Sequence, residues 1–549
     1  MSFRAVLKIV ATGVVVMSVS RAWAQDANDS NASTTDPASS KVSAQRPEPP
    51  QGHLEVPGDP YVPVSPEERR TSPSATPRSR NGYVSVQVNV DVSGDNIVGD
   101  AANEPSIAVD PTNHNRMVIG WRQFDTITSD FRQAGWGYTA DGGTTWTFPG
   151  VIEPGIFRSD PVLAADTLGN FYYNSLTAEG WDFWCHVYKS TDGGATWDSG
   201  TYAYGGDKQW MVIDHTDGVG QNNFYANWTQ YWSICYPNHF TRSYDGGQSF
   251  EPCTQVSGNP YWGTLSVGPD GELYVAGDGF IVAKSTNVQN AGSTPTWTST
   301  SVSLGGSMVM STGPNPGGLL GQAWVETDHS GGPTHGNVYL LCSVDPSGAD
   351  PLDVRFSRST NGGSTWSGSV RVNDDPGGTN AWQWFGTMSV APNGRIDVIW
   401  NDTRNDPGGY DSELYYAYSE DAGVTWSANE ALSPAWDPHL GWPQQNKIGD
   451  YYHMVSDDTG ADLAYAATFN GEQDVYYLRI NVEPVCEVGL GNMNGDGGVD
   501  GNDIQAFVTC QIDGEPTTPE CVCADMNENT VWDADDVEMF VDCLLGNCP

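Results

Sequence analysis

Near the C-terminus, two twelve-residue stretches carry oxygen-bearing side chains at positions 1, 3, 5, 9 and 12. In "NMNGDGGVDGND" these are Asn492, Asn494, Asp496, Asp500 and Asp503. In "DMNENTVWDADD" they are Asp525, Asn527, Asn529, Asp533 and Asp536. Position 7, Gly498 or Val531, adds a backbone carbonyl. This spacing lets a short loop wrap a hard cation in oxygen, and it predicts two Ca²⁺ sites. From residue 484 onward there are 14 acidic residues and no Lys or Arg, a density that calcium would relieve. The first loop has Gly497 for its sharp turn; the second has Thr530, so its calcium affinity is less secure. The stretches "DIQAFVTCQ" and "DVEMFVDCLL" predict a helix after each loop.

A second set of chemical groups lies in the central region. "GWRQF" places Trp121 beside Arg122, and "WNDTRND" places Asp402 near Arg404. Glu104, Asp160, Asp207, Lys208 and Asp450 stand at the starts of short apolar runs, with Tyr451 and Tyr452 following Asp450. Trp262 and Trp384 hold similar positions, Glu472 lies in a connection, and Arg158 is a third arginine nearby. Guanidinium groups grip carboxylates in bidentate fashion. Asp, Glu and Tyr supply acid, base or nucleophile. The candidates for catalysis are therefore Arg122, Asp160, Arg404, Asp450 and Tyr451. Glu104, Trp121, Asp207, Lys208 and Asp402 are candidates for the ligand face. The alternative is that these charges pair with one another around a central axis.

What positions them is a repeat. "TADGGTTW" from Thr139 returns as "STDGGATW" (Ser190), "SYDGGQSF" (Ser243), "STNGGSTW" (Ser359) and "SEDAGVTW" (Ser419), with a degraded copy from Ser285 to Trp297. Upstream of each turn is a short, buried-type run, and seven such runs start 49 to 65 residues apart. Short strands, frequent turns and no helical period read as all-β. The repeat length fits four-stranded blades, so the region predicts a seven-bladed β-propeller, with six blades as the alternative. The last unit lacks an outer strand, which "VSVQVNVDV" at 84–92 would supply, removing an exposed edge. Within the turn, Asp or Asn accepts backbone N–H bonds, Gly supplies positive φ and the aromatic packs between sheets.

The turn resembles the Asp-box, or BNR, repeat, and the region of about 400 residues around it resembles the sialidase superfamily. That resemblance implies turns on the rim away from the ligand, an arginine cluster for a sugar carboxylate, a Tyr–Glu nucleophile pair and an Asp acid/base. The Arg-Ile-Pro signature is absent; the first blade offers Glu104-Pro105-Ser106-Ile107. Two loop–helix units with Asp at position 12 resemble a dockerin domain, which implies a cohesin-like partner. The cysteines among them are additions to that pattern.

Composition sets the context. Arg4 and Lys8, the apolar run Ile9–Val19 and Ala22-Trp23-Ala24 form a secretory signal peptide pattern, with cleavage expected after Ala24. The Pro/Ser/Asp-rich stretch 25–81 predicts a disordered linker, 82–483 the propeller, and 484–549 a small EF-hand-like α-helical calcium domain. Net charge of −44, from 68 acidic and 24 basic residues, excludes nucleic acid as a partner. No later apolar run approaches the ~20 residues of a membrane-spanning helix. Ten cysteines in an exported chain predict disulfides; the six from Cys486 onward allow 15 pairings. A secreted glycan- or glycoprotein-directed protein results, either a sialidase-like hydrolase or a non-catalytic binding propeller. A few loop tryptophans, among Trp181, Trp184, Trp228 and Trp232, are candidates to stack on sugar rings.

Overall fold

The computed structural model describes residues 56–65, 69–73, 75–482, 486, 489–513, 521–527 and 534–548. The expected signal peptide (1–24) and Asn529, Val531 and Asp533 lie outside these residues.

Seven antiparallel sheets follow one another along the chain. Their inner strands are Ala101–Val109, Ser159–Ala165, Trp210–Ile213, Leu265–Val267, Trp324–Thr327, Gln383–Val390 and His453–Asp457. Each inner strand packs on the next, and the last returns to the first. The sheets therefore close into a seven-bladed β-propeller, and the six-bladed alternative falls. Strands of a blade are buried on both faces, because each sheet is covered by two neighbours. Met117–Phe124, "MVIGWRQF", is buried at every position. Core clusters accordingly span blades: Trp121 of blade 1 shares one with Ala464, Val475 and Tyr477 of blade 7.

The ring is closed by the chain's own early strand. Tyr83–Gln87 pairs with Asp474–Asn481, with Ser85 opposite Leu478 and Gln87 opposite Tyr476. Arg78–Arg80 adds a fifth strand outside it. Part of the segment expected to be a linker is pinned to blade 1. The backbone N–H groups of Gly58 and Asp59 donate to the Asp130 carboxylate at 2.8 and 2.9 Å. Arg70–Ser72 pairs with Asn96–Val98.

In the tail, two α-helices are described: α1 (Ile504–Asp513) follows the first acidic loop directly, and α2 (Ala534–Leu544) begins within the last three residues of the second. Among the described residues no helix precedes the first loop, so a helix–loop–helix hand is not formed there. The two units match. Phe507 and Phe540, each at position 16 counted from its loop start, stack at 3.8 Å. Asp503 and Asp536, each at position 12, are buried and fold back on their loops. Asp503 accepts the backbone N–H of Asn494 at 3.0 Å, and Asp536 accepts those of Met526 and Asn527 at 2.9 and 3.3 Å. Three disulfides, Cys486–Cys523, Cys510–Cys521 and Cys543–Cys548, staple a segment too small for a large core. A fourth, Cys235–Cys253, lies in blade 3, while Cys185 and Cys342 are buried thiols. No helix among the described residues is long and apolar enough to cross a membrane.

Candidate functional site

Four of the five repeated turns join the third and fourth strands of their blades, and the one in blade 3 follows the last strand of a three-stranded sheet; their side-chain oxygens serve the turn itself. Asp141 accepts the Thr145 backbone N–H at 3.0 Å, the Thr145 hydroxyl at 2.6 Å and the Thr139 hydroxyl at 2.7 Å. Asp192, Asp245 and Asp421 repeat the pattern, and Asn361 keeps the backbone bond. Partial burial opposes ionisation of the four Asp groups. Their hydroxyl and N–H donors outweigh it and hold each carboxyl below the usual carboxylate range. Trp146 closes the turn, its indole N–H donating to the Gly143 carbonyl at 3.2 Å. These groups are fully employed as scaffold.

The inner-strand starts share a different device. Glu104, Asp160, Lys208, Trp262 and Phe385 have φ of 50°, 46°, 54°, 58° and 58°, and Gly449 has 98°. Pairing registers slip beside the first, second and fifth of these, so the inner strand carries an extra residue there. Such a bulge re-aims a side chain out of the ladder. Non-glycine residues held at positive φ cost about 1–3 kcal/mol, which the surrounding structure must offset.

At these starts the structure gathers Glu104, Arg122, Asp160, Lys208, Asp450 and Tyr451, contributed by blades 1, 2, 3 and 7. Arg122 Nε lies 3.2 Å from Glu104. Lys208 Nζ lies 3.7 Å from Glu104 and 3.5 Å from Asp160, and it pairs closely with Asp450. Lys447, which sequence reasoning missed, completes the group at 2.7 Å from Asp450 and 3.6 Å from Glu104. Three cations face three carboxylates, all buried or nearly so. Burial pushes the Glu104 carboxyl up to about 8. Arg122 and Lys208 work against that rise, Asp450 adds to it and Lys447 again opposes it. Amides hold the frame. Arg122 donates to Asn103 at 2.8 Å, Asn103 to Gln473 at 2.6 Å, and Gln473 to the Lys447 carbonyl at 2.9 Å.

Two further elements shut this group in. A hairpin between blades 4 and 5, Met310–Thr312 with Asn315–Leu319, reaches across to blade 7. Its Leu319 N–H donates to Asp450 at 2.7 Å and its Asn315 amide to the Gly449 carbonyl at 2.8 Å. Where the inner strands begin, Trp210 packs on Trp324, His453 and the preceding Tyr451 with ring centres 5.2 to 5.3 Å apart. Tyr451 is buried and donates its hydroxyl to the Pro161 carbonyl at 2.8 Å; burial, with Glu104 and Asp160, keeps it a neutral phenol.

The other expected residues lie elsewhere. Trp121 alternates with Arg122 along its strand, so it enters the core while Arg122 turns to the cluster. Its indole N–H donates to Gln123 at 2.7 Å. Asp402 and Arg404 form their own knot: Arg404 pairs with Asp402 at 2.9 Å and Asp374 at 2.7 Å and covers the Tyr415 ring. Arg158 pairs with Glu153. Asp207 is buried, its N–H bonded to the Trp232 carbonyl at 2.8 Å. Glu472 accepts from Asn96 and the Gly99 N–H. Tyr452 is core and donates to the Ala466 carbonyl. Trp384 turns inward to Ser412, leaving Phe385 at the strained position. A second charged group, His114 with Asp457 and Asp462, is cross-linked by Arg479, which pairs with both carboxylates.

The same mouth carries an aromatic surface in blades 2 to 4. Trp181, at the turn between the second and third strands of blade 2, is 51 % exposed and stacks on Trp232 at 5.1 Å. Trp232 belongs to the corresponding connection of blade 3, which the Cys235–Cys253 disulfide ties down. Tyr231 and Tyr236 flank it, and Tyr261 packs on Trp262 at 5.1 Å. Trp228 is buried and Trp184 half-buried.

The sequence matches no protein-family profile and no curated protein. Among solved structures, a protein of unknown function from Dyadobacter fermentans is similar at 13 % identity and TM-score 0.41, over 72 % of this chain and 98 % of that one. A Hadza microbial sialidase matches at 12 % identity and TM-score 0.37, over 70 % and 66 %. The Trypanosoma rangeli sialidase matches at 12 % and 0.35, over 76 % and 60 %. The propeller assignment rests on the closed ring of sheets in this chain.

Proposed function

We propose that this protein is a secreted propeller that binds extracellular glycans at its mouth without hydrolysing them. The observation that carries this reading is the central cluster, whose three cations are already matched by three buried carboxylates. A hydrolase directed at sialosides needs guanidinium groups left open for a sugar carboxylate and an accessible nucleophile. Arg122 is the one arginine in the cluster, and Tyr451 is spent on a backbone carbonyl. The exposed Trp181–Trp232 stack offers instead an apolar face with a polar edge, suited to a sugar ring.

The tail attaches the propeller to a cohesin-like protein partner. Asn492, Asn494, Asp496, Asp500, Asp503 and the Gly498 carbonyl would hold one Ca²⁺. Asp525, Asn527, Asp536 and the loop between them would hold a second. Every donor is a hard oxygen, as that ion requires. Ile504, Val508 and Ile512 on α1, and Val537 and Val541 on α2 with Leu545 just past its end, form matching exposed aliphatic stripes for the partner.

A glycan array and a sialoside-release assay on the full chain test the reading. Expected are glycan binding, loss of about tenfold in affinity with Trp181→Ala, equivalent to ~1.4 kcal/mol, and no sugar released. Release of sialic acid by the wild type, abolished by Tyr451→Phe, overturns it in favour of hydrolysis.

A further inference from the structure

The segment leading out of blade 3 into blade 4 borders a cavity of about 560 Å³ that the central cluster does not use. It is lined by Gln230, His239, Gln255, Ser257, Asn259 and Trp297, among others. In a chain of net charge −44, its wall holds no Asp, Glu, Lys or Arg among the described residues. His239 does not add charge. It is buried, and its Nε2 accepts the Val256 N–H at 3.2 Å while Nδ1 faces the Pro237 carbonyl at 3.3 Å, the bonding of a neutral ring.

Two of the lining residues keep hydrogen-bonding capacity in reserve. The Trp297 indole N–H and the Asn259 amide oxygen are buried and meet no protein partner among the described residues. Trp297 is the aromatic of the degraded repeat. Five extra residues separate it from Asn287 compared with Trp146 and Asp141, so the turn carbonyl that Trp146 bonds is not supplied in the same way. Asn259 is held at φ of 51° beside Gly258. The cavity is also continuous in sequence with the aromatic surface: Gln230 precedes Tyr231 and Trp232, and Asn259 is followed by Pro260, Tyr261 and Trp262.

We propose that this groove is a subsite for a neutral sugar residue, extending the glycan surface that begins at Trp181 and Trp232. The proposal rests on the glycan-binding reading and narrows it to uncharged polysaccharide. Amides and a hydroxyl donate and accept at once, which suits sugar hydroxyls, and the indole supplies a ring face. An anionic sugar would meet neither a cation in the groove nor a favourable long-range field, since the chain is strongly acidic.

Calorimetry on the full chain tests it, with neutral hexasaccharides (cello-, xylo-, manno- and N-acetylchito-) set against sialyllactose and trigalacturonate. The variants are Trp181→Ala and the double change Gln230→Ala with Gln255→Ala, at exposed or half-buried positions chosen to leave the melting temperature unchanged. The expected result is binding of a neutral hexasaccharide, weakened about tenfold or more by the glutamine pair as two side-chain hydrogen bonds are lost. Equal binding by wild type and the glutamine variant, with loss in Trp181→Ala, overturns the groove and leaves the mouth reading standing. Binding of the anionic sugars alone overturns the neutral ligand while glycan binding survives. Failure of the wild type to bind any probe overturns both.

Discussion

At the rim corners of this ring the side chains repeat and the backbone follows; at the inner-strand starts the backbone repeats and the side chains vary. The rim corners use Asp or Asn, Gly and an aromatic in five blades, each side chain bonding within its own turn. The inner starts hold the same left-handed conformation with Glu, Asp, Lys, Trp, Phe and Gly. Where residue type is fixed, local physics is served. Where only geometry is fixed, each blade presents something different to the shared mouth, and that is where a ring of equal units acquires individuality.

The largest effect should come from unbalancing the central cluster. Asp450→Ala removes the carboxylate shared by Lys208 and Lys447 and leaves buried positive charge, at a cost of about 3–5 kcal/mol in denaturant unfolding. A loss no greater than that of a rim turn would break the distinction drawn above. The rim supplies the comparison: Asp192→Ala deletes a cap-like acceptor and should cost about 1–2 kcal/mol, with glycan binding unchanged. The smallest effect is pH-dependent. Burial pushes the Glu326 carboxyl up to about 8, opposed only by Ser266. Between its ordinary 4.5 and about 8 the folded chain keeps a proton there that the unfolded chain has lost, so stability falls as pH rises through that window. Glu326→Gln should flatten this part of the decline, read as a difference of a few degrees in melting temperature between pH 5 and pH 8.5. An identical slope in the variant assigns the decline to other groups.

The fold was legible because it is built from repetition. Seven starts, a recurring corner and a spare strand at 84–92 together require a ring that closes on itself, and Tyr83–Gln87 does close it. The cluster was legible only in part. Glu104, Asp160, Lys208 and Asp450 stand at strand starts, which a repeat reveals. Lys447 was missed because it precedes its strand and meets Glu104 only when blade 7 comes round to blade 1. In blade 6 the bulge begins one residue after Trp384, which is still paired with Asn401, so Phe385 holds the strained position. Trp121 and Arg122 are neighbours with opposite destinations because side chains alternate along a strand. Arg404 sits where expected along the chain, but its partners Asp374 and Asn429 come from segments flanking other strands, which spacing does not disclose.

The strand that closes the ring also orders events in time. Tyr83–Gln87 emerges early from the ribosome, yet its partner Asp474–Asn481 is made almost four hundred residues later. Until then blade 7 has no outer strand and the first sheet has no neighbour on one side. Assembly of this molecule is thus completed by a handshake between the two ends of the propeller, and a nascent chain stopped short of residue 474 is an open arc with unpaired edges, a natural target for quality control.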